Sequence, residues 1–199
     1  KEKVDEMVEK VSSHADVRYA SIDTDLRGAV TVKGISIQPL GYEDSVEVDA
    51  VRVSGDGPLF LLQGISLDQD GSKPPPSLSL VVSGVRMPLA SDLLSAAASA
   101  TDFSPDDPCA HGLSTHPAFL RQLGFTELAM DFDGSYRLDE AQQTLEVEMD
   151  VDVHDVQSTR LSASLADVDA ESFASGGASM PSLAEVGLTL TISPQFGQQ

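Results

Sequence analysis

One segment of the chain alternates between apolar and polar side chains without a break. Its odd-numbered positions from 145 to 153 are all apolar, and its even-numbered positions from 146 to 152 are all carboxylates. Successive side chains of a β-strand point to opposite faces of a sheet, so this period of two describes a strand with one dry face and one solvated face. The segment therefore predicts a strand of an antiparallel sheet, because antiparallel sheets can expose one face to water.

The same period recurs along most of the chain, in groups bounded by Gly, Pro or Asp. Since these residues favour turns, each group predicts one strand. The links between the groups are mostly too short for the crossovers that parallel strands require, so an antiparallel meander is expected. The groups begin at the following residues: Val17, Val30, Ile35, Val46, Val51, Thr126, Tyr136, Leu145, Leu161 and Leu188.

Irregular points are predicted within this sheet. The alternation slips by one residue between Val48 and Val51, which predicts a β-bulge at Ala50. Asp133-Gly134 follows an apolar group and predicts a tight turn before the next one. Three segments share a Gly followed by apolar, polar and apolar residues, which indicates strands that each begin at a glycine: Gly34–Ile37, Gly64–Leu67 and Gly84–Met87.

Three other segments have helical features. Apolar residues at positions 4, 7, 8 and 11 form one stripe of a short amphipathic helix that Ser12 ends. The Ala-rich run from Leu89 to Ala100 predicts a second helix. A third helix is predicted between a capping residue, Thr115, and a stop, Gly124, with Pro117 in its first turn.

These elements predict an α+β fold. It consists of a mainly antiparallel, curved meander β-sheet, with the N-terminal helix and the two middle helices packed on one face. A chain of 199 residues is long enough for one substantial core, so residues 1–199 are expected to form a single domain. The irregular stretch 101–115 is where a subdivision into 1–100 and 116–199 would fall.

The charge of the chain excludes one class of partner. There are 32 acidic and 12 basic side chains, which give a net charge of −20. Such a charge repels phosphate groups and argues against direct binding of nucleic acid or of an anionic membrane surface. Because concentrated salt screens this self-repulsion, the composition also indicates a salt-tolerant source.

Two acidic patterns invite a cation-binding interpretation. Asp131, Asp133, Gly134 and Glu140 resemble the second half of an EF-hand loop. The first ligand position of such a loop would fall on Ala129, which offers no side-chain oxygen, so a β-turn is the preferred interpretation. The second pattern alternates perfectly with apolar residues and is typical of a solvated strand face: Glu146, Glu148, Asp150 and Asp152.

The loop from Cys109 to His116 contains the remaining candidate ligands. Cys109, His111 and His116, with Asp106 or Asp107 as an oxygen ligand, are the residue types that bind zinc, but their spacing matches no established zinc pattern. A polar loop is therefore preferred. His154 is expected to be an exposed strand residue, and His14 follows a helix end.

Catalytic motifs are absent from the sequence. It contains no Gly-x-Ser-x-Gly elbow, no phosphate-binding Walker loop and no HExxH helix. We therefore expect a protein that is not an enzyme, without catalytic, cofactor-binding or metal-binding residues and without a cofactor. The alternative that the residues leave open is a metal-binding protein or hydrolase that uses the Cys109–His116 loop.

The stretch from Val17 to Leu67 resembles a known family. Its sequence YASID at 19–23, DLRGAVTVKGISI at 25–37, VRV at 51–53 and PLFLLQG at 58–64 is similar to the N-terminal part of AsmA-like proteins of the Gram-negative envelope. The resemblance covers about the first third of the chain. It implies long curved antiparallel strands that form a trough, preceded by a helix that is often a membrane anchor.

This resemblance and the empty motif search lead to one functional expectation. We expect a non-enzymatic envelope domain, a binding or assembly module that contacts lipid or a partner protein through its apolar sheet face. The resemblance implies a periplasmic location and an inner-membrane anchor. Since the chain begins at Lys1 rather than Met, we expect it to be a fragment of a longer protein whose N-terminal anchor has been removed. The sequence leaves the oligomeric state open.

Overall fold

A computed structural model describes residues 2–56, 75–91, 117–168 and 182–192. Within these ranges the chain forms two short helices and nine strands. Their bounds are α1 Glu2–Val11, β1 Ala15–Arg18, β2 Ser21–Thr24, β3 Val30–Pro39, β4 Val46–Gly55, β5 Ser77–Pro88, α2 Pro117–Gln122, β6 Glu127–Asp139, β7 Thr144–Val153, β8 Gln157–Ala166 and β9 Ser182–Ile192.

The strands form one open antiparallel sheet in the order β1-β3-β4-β5-β6-β7-β8-β9. The short strand β2 also pairs with β3, beside β1. From β2 to β9, consecutive strands are therefore neighbours, and the predicted antiparallel meander is confirmed. Residues 101–115 lie outside the described residues, but the strands on either side of them, β5 and β6, pair directly.

The sheet has one apolar face and one polar face, as the two-residue period predicts. Its apolar side chains pack into two small clusters at opposite ends of the longest strands. The first, the α2 cluster, consists of Leu89, Leu120, Val153 and Val156. The second, the Val168 cluster, consists of Leu138, Leu145 and Val168. These clusters contain most of the fully buried apolar side chains of the central strands, so the rest of that face is only partly covered.

The prediction of three helices packed on the apolar face is not supported. The N-terminal helix exists as α1, and Ser12 ends it by donating a hydrogen bond to the Glu9 carbonyl. This helix contacts the edge strand β1, and Val11 at its end remains 45% exposed. Of the two helices in the described part of the chain, α2 is the one that packs over the sheet, through Leu120 at one end. No helix among the described residues has the length and the apolar character needed to cross a membrane.

The predicted second helix, Leu89–Ala100, lies mostly outside the described residues. Its first residues, Leu89 to Ser91, form a turn after β5. The third predicted helix corresponds to α2, Pro117–Gln122, and Gly124 follows it with a positive φ of 89°. The stop at Gly124 is confirmed, because a left-handed residue at this position ends a helix.

The predicted turn at Asp133-Gly134 is wrong. Strand β6 continues through both residues, and Gly134 pairs with Leu80 on one side and Met149 on the other. A Cβ on Gly134 would lie 2.8 Å from the Phe132 ring, so the ring occupies the space that a side chain would need. The chain turns later, after Asp139.

The predicted bulge at Ala50 is also displaced. Strands β3, β4 and β5 keep one register on both sides of the slip, so Gly34, Asp49 and Gly84 lie in one row across them. The register shift occurs instead between β5 and β6, where Ser83 and Gly84 of β5 lie opposite the single residue Asp131 of β6. Both glycines have positive φ, 61° at Gly34 and 64° at Gly84, and both lie inside their strands rather than at the start. Gly64 lies outside the described residues.

Candidate functional site: the apolar face of the sheet

The middle of the apolar face contains a row of residues that belong to five successive strands. In register across the sheet, the row comprises Leu80, Gly134, Met149, Leu161 and Leu188. With neighbouring strands about 4.8 Å apart, the row spans roughly 19 Å. Gly134 has no side chain, and the Phe132 ring occupies the space over it.

Exposure on this face is greatest at β9, whereas Leu161 of β8 is partly buried. Met149 of β7 is 37% exposed, and Leu188 of β9 is 69% exposed. Every large apolar side chain of β9 is at least half exposed: Leu183, Val186, Leu188, Leu190 and Ile192. Contiguous exposed apolar surface of this kind marks binding surfaces in soluble proteins.

The ends of the face are closed by its two clusters. At the Val168 end, the Tyr136 hydroxyl donates a hydrogen bond of 3.1 Å to the Pro75 carbonyl, and burial raises the pKa of this phenol. At the other end, Leu120 of α2 is only 1% exposed and packs with Leu89 and Val156. The two closed ends leave the central row between them, and this row can hold an apolar chain by the hydrophobic effect, without directed chemistry.

The opposite face is covered by exposed ion pairs. Basic side chains from several strands are matched to aspartates at 2.6 to 2.8 Å: Lys33–Asp23, Arg52–Asp25, Arg86–Asp49 and Arg160–Asp150. Exposed pairs of this kind contribute only about 0 to 1 kcal/mol each. Because each of these cations already faces a carboxylate, this face offers no concentrated positive charge to an anionic ligand.

One cluster on the polar face has the side chains of a cation site. Donor atoms of Asp131, Asp152 and His154 all lie within 4.8 Å of one another. Asp131 and Asp152 are directly opposite on β6 and β7, and the His154 ring is 2.9 Å from Asp131. The Gly84 N–H donates to Asp131 at 2.6 Å and, with the His154 ring as the second cause, holds the pKa of Asp131 below its usual range.

The sequence did not predict this cluster. Asp131 and Asp152 were assigned to separate patterns, and only the pairing of β6 with β7 brings them together. His154 is exposed, as expected, but it lies in the turn after β7 rather than in the strand. Two carboxylates and one imidazole are ligands that a divalent cation accepts, although two of the three residues are largely exposed.

The other candidate residues lie apart. Asp133 is exposed within β6, and Glu140 follows the end of that strand, so an EF-hand loop is not formed. His14 is exposed after α1, where its ring is 2.7 Å from the Ser13 hydroxyl. The alternating carboxylates 146–152 lie along one side of β7. The following candidate ligands lie outside the described residues: Asp106, Asp107, Cys109, His111 and His116.

Known proteins give no further guide to this surface. Comparison of the chain with protein-family models, with curated proteins and with solved structures found no match.

Proposed function

We propose that this protein is a non-enzymatic binding module of the cell envelope that holds the acyl chain of a lipid on the apolar face of its sheet. One observation carries the proposal. The central row of the face lies between two closed ends, and it contains two exposed apolar side chains, Met149 and Leu188. The AsmA-like resemblance of residues 17–67 supports an envelope location, in the periplasm and attached to the inner membrane through a preceding segment.

The magnitude of the hydrophobic effect supports an acyl ligand. Each CH₂ group that leaves water contributes about 0.8 kcal/mol, so ten buried groups would contribute about 8 kcal/mol before the cost of ordering the ligand. The row of about 19 Å offers enough length for such a chain to contact several strands. The negative charge of −20 favours lipids whose headgroups are neutral or basic over anionic ones.

The test measures retention of a neutral lipid. Purified protein is mixed with radiolabelled 1-oleoylglycerol and passed through gel filtration, and the label that elutes with the protein gives the bound fraction. A neutral probe is needed because repulsion from the protein would weaken an anionic one. We expect saturable binding by the wild-type chain.

Two variants with the same change in charge locate the site. Met149→Glu places a carboxylate in the central row, whereas Ser162→Glu places one on the polar face, opposite Glu148. Binding should fall at least tenfold in Met149→Glu and remain close to wild type in Ser162→Glu, because only the first carboxylate meets the acyl chain. Equal binding by the two variants, or no retention of the probe by the wild-type chain, would overturn the proposal. Circular dichroism establishes that both variants fold.

A further inference from the structure

The two edges of the sheet differ in the features that prevent edge-to-edge pairing. At one edge, β1 and β2 contain only four residues each and are interrupted at Tyr19 and Ala20. Charged residues occupy this edge, including Asp16, Arg18 and Asp23, and α1 contacts β1. Short strands, charges and a covering helix are the usual protection of an edge against another chain.

Among the described residues, the β9 edge lacks most of this protection. Among the described residues β9 pairs only with β8, although it is 11 residues long. It contains no Pro, Lys or Arg and a single charge, Glu185. Its apolar side chains are all at least half exposed. A long, apolar edge strand with a single charge presents a row of backbone N–H and C=O groups that another strand can pair with.

We propose that β9 pairs antiparallel with β9 of a second copy of this chain, so that the sheet and its apolar face continue through a two-fold symmetric dimer. The sequence of β9 is compatible with itself in this arrangement. With the two-fold axis at Gly187, Val186 faces Leu188 of the second copy. Glu185 faces Thr189 rather than the other Glu185, so like charges do not meet.

The two edges also decide which kind of assembly forms. Pairing of β9 with the β1–β2 edge would repeat head to tail and produce open filaments. The charged and interrupted β1–β2 edge opposes this contact. Pairing of β9 with itself uses the same surface twice and closes at two copies.

The net charge gives the dimer a diagnostic dependence on salt. Each copy carries −20, so two copies repel each other at low ionic strength. Because the Debye length falls from about 10 Å at 0.1 M to about 3 Å at 1 M, the dimer should be tighter in concentrated salt. Sedimentation velocity of the full chain in 0.1 M and 1 M NaCl, over a range of protein concentrations, measures this change.

Three lysine variants locate the contact. Leu188→Lys should weaken the dimer at least tenfold, although it lowers the net negative charge and so reduces the repulsion between copies. Leu26→Lys changes a leucine that is 97% exposed in the turn between β2 and β3, and should leave the dimer intact. Met149→Lys alters the apolar face away from the edge, and should also leave it intact.

The outcomes separate the alternatives. Wild-type chain that stays monomeric in both salts, or a series of oligomers that grows beyond two copies, overturns the proposal. Equal weakening by Leu188→Lys and Met149→Lys would mean that copies meet through their apolar faces and would also overturn it. Slower amide exchange of residues 182–192 with increasing protein concentration would support strand pairing, because new backbone hydrogen bonds protect those amides.

Discussion

Replacement of Gly84 by alanine tests the close packing of Gly84 against Asp49, in the row where the alternation of apolar and polar residues slips. Gly84 has a φ of 64°, and a Cβ at this position would overlap the carboxylate of Asp49. An L-residue in the left-handed region costs roughly 1–2 kcal/mol. Displacement of Asp49 would also disturb its 2.6 Å pair with Arg86, which contributes about 0 to 1 kcal/mol at the surface. We therefore expect Gly84→Ala to lower the free energy of unfolding by about 2 kcal/mol.

A second glycine separates the backbone strain from the overlap. Gly41 also has a positive φ, 91°, but no heavy atom lies within 4 Å of a Cβ built on it. Gly41→Ala should therefore cost only the strain, about 1 kcal/mol. Urea unfolding followed by circular dichroism gives both values, with the slope m as the check that each variant unfolds in the same way.

A double-mutant cycle then identifies the cause of the larger effect. In an Asp49→Ala background the overlap is gone, so Gly84→Ala should cost no more than Gly41→Ala, about 1 kcal/mol. If Gly84→Ala costs the same with and without Asp49, then the carboxylate does not occupy the space over Gly84, and our account of this row is incorrect.

Two further predictions concern charges on the polar face. Asp150 and Asp152 of β7 both face an aspartate of β6, but only Asp150 is paired with an arginine. At pH 8, the free energy of unfolding of Asp152→Asn should therefore be about 0.2 to 1 kcal/mol higher than that of Asp150→Asn. Urea unfolding measures both values. A higher value for Asp150→Asn would contradict the assumption that the unpaired aspartate is the more repulsive one. Asp25 accepts hydrogen bonds from the N–H groups of residues 29 and 27 and pairs with an arginine, which lowers the pKa of its carboxyl group below 3.8. Its contribution is present above that value and is lost as the pH falls, so the stability difference between wild type and Asp25→Asn should be larger at pH 6 than at pH 3, and an equal difference at both would refute it.

The strands were predictable because their signal is local. A period of two can be read from a few neighbouring residues, and the burial of Leu145 and Val153 on one side of β7 follows directly from it. The end of α1 after Val11 was also predictable, because the apolar stripe of a helix is a local signal too. The meander order also followed, since most of the links were too short for anything except a neighbouring strand.

The errors arose where distant residues override local preference. Asp133-Gly134 has the composition of a turn, yet both flanking strands pair with β6 through this point, and Phe132 covers the glycine. Similarly, the alternation of apolar and polar residues does slip near Ala50, but the register shift between paired strands occurs in β5, opposite Asp131. Neither outcome can be read from one segment, because each depends on the register of neighbouring strands.

The location of the candidate site depends on which segments pack over the apolar face, and not on the alternation of apolar and polar residues in each strand. Leu145 and Leu188 each lie within an alternation of apolar and polar residues, and this alternation does not distinguish them. Leu145 is 4% exposed because Val168 packs on it, whereas Leu188 is 69% exposed. An amphipathic strand specifies which side chains face the apolar surface but not whether another segment covers them. The difference between these two leucines therefore places Leu145 in the core and leaves Leu188 exposed, which is why we propose that β9 contacts a ligand and a second copy.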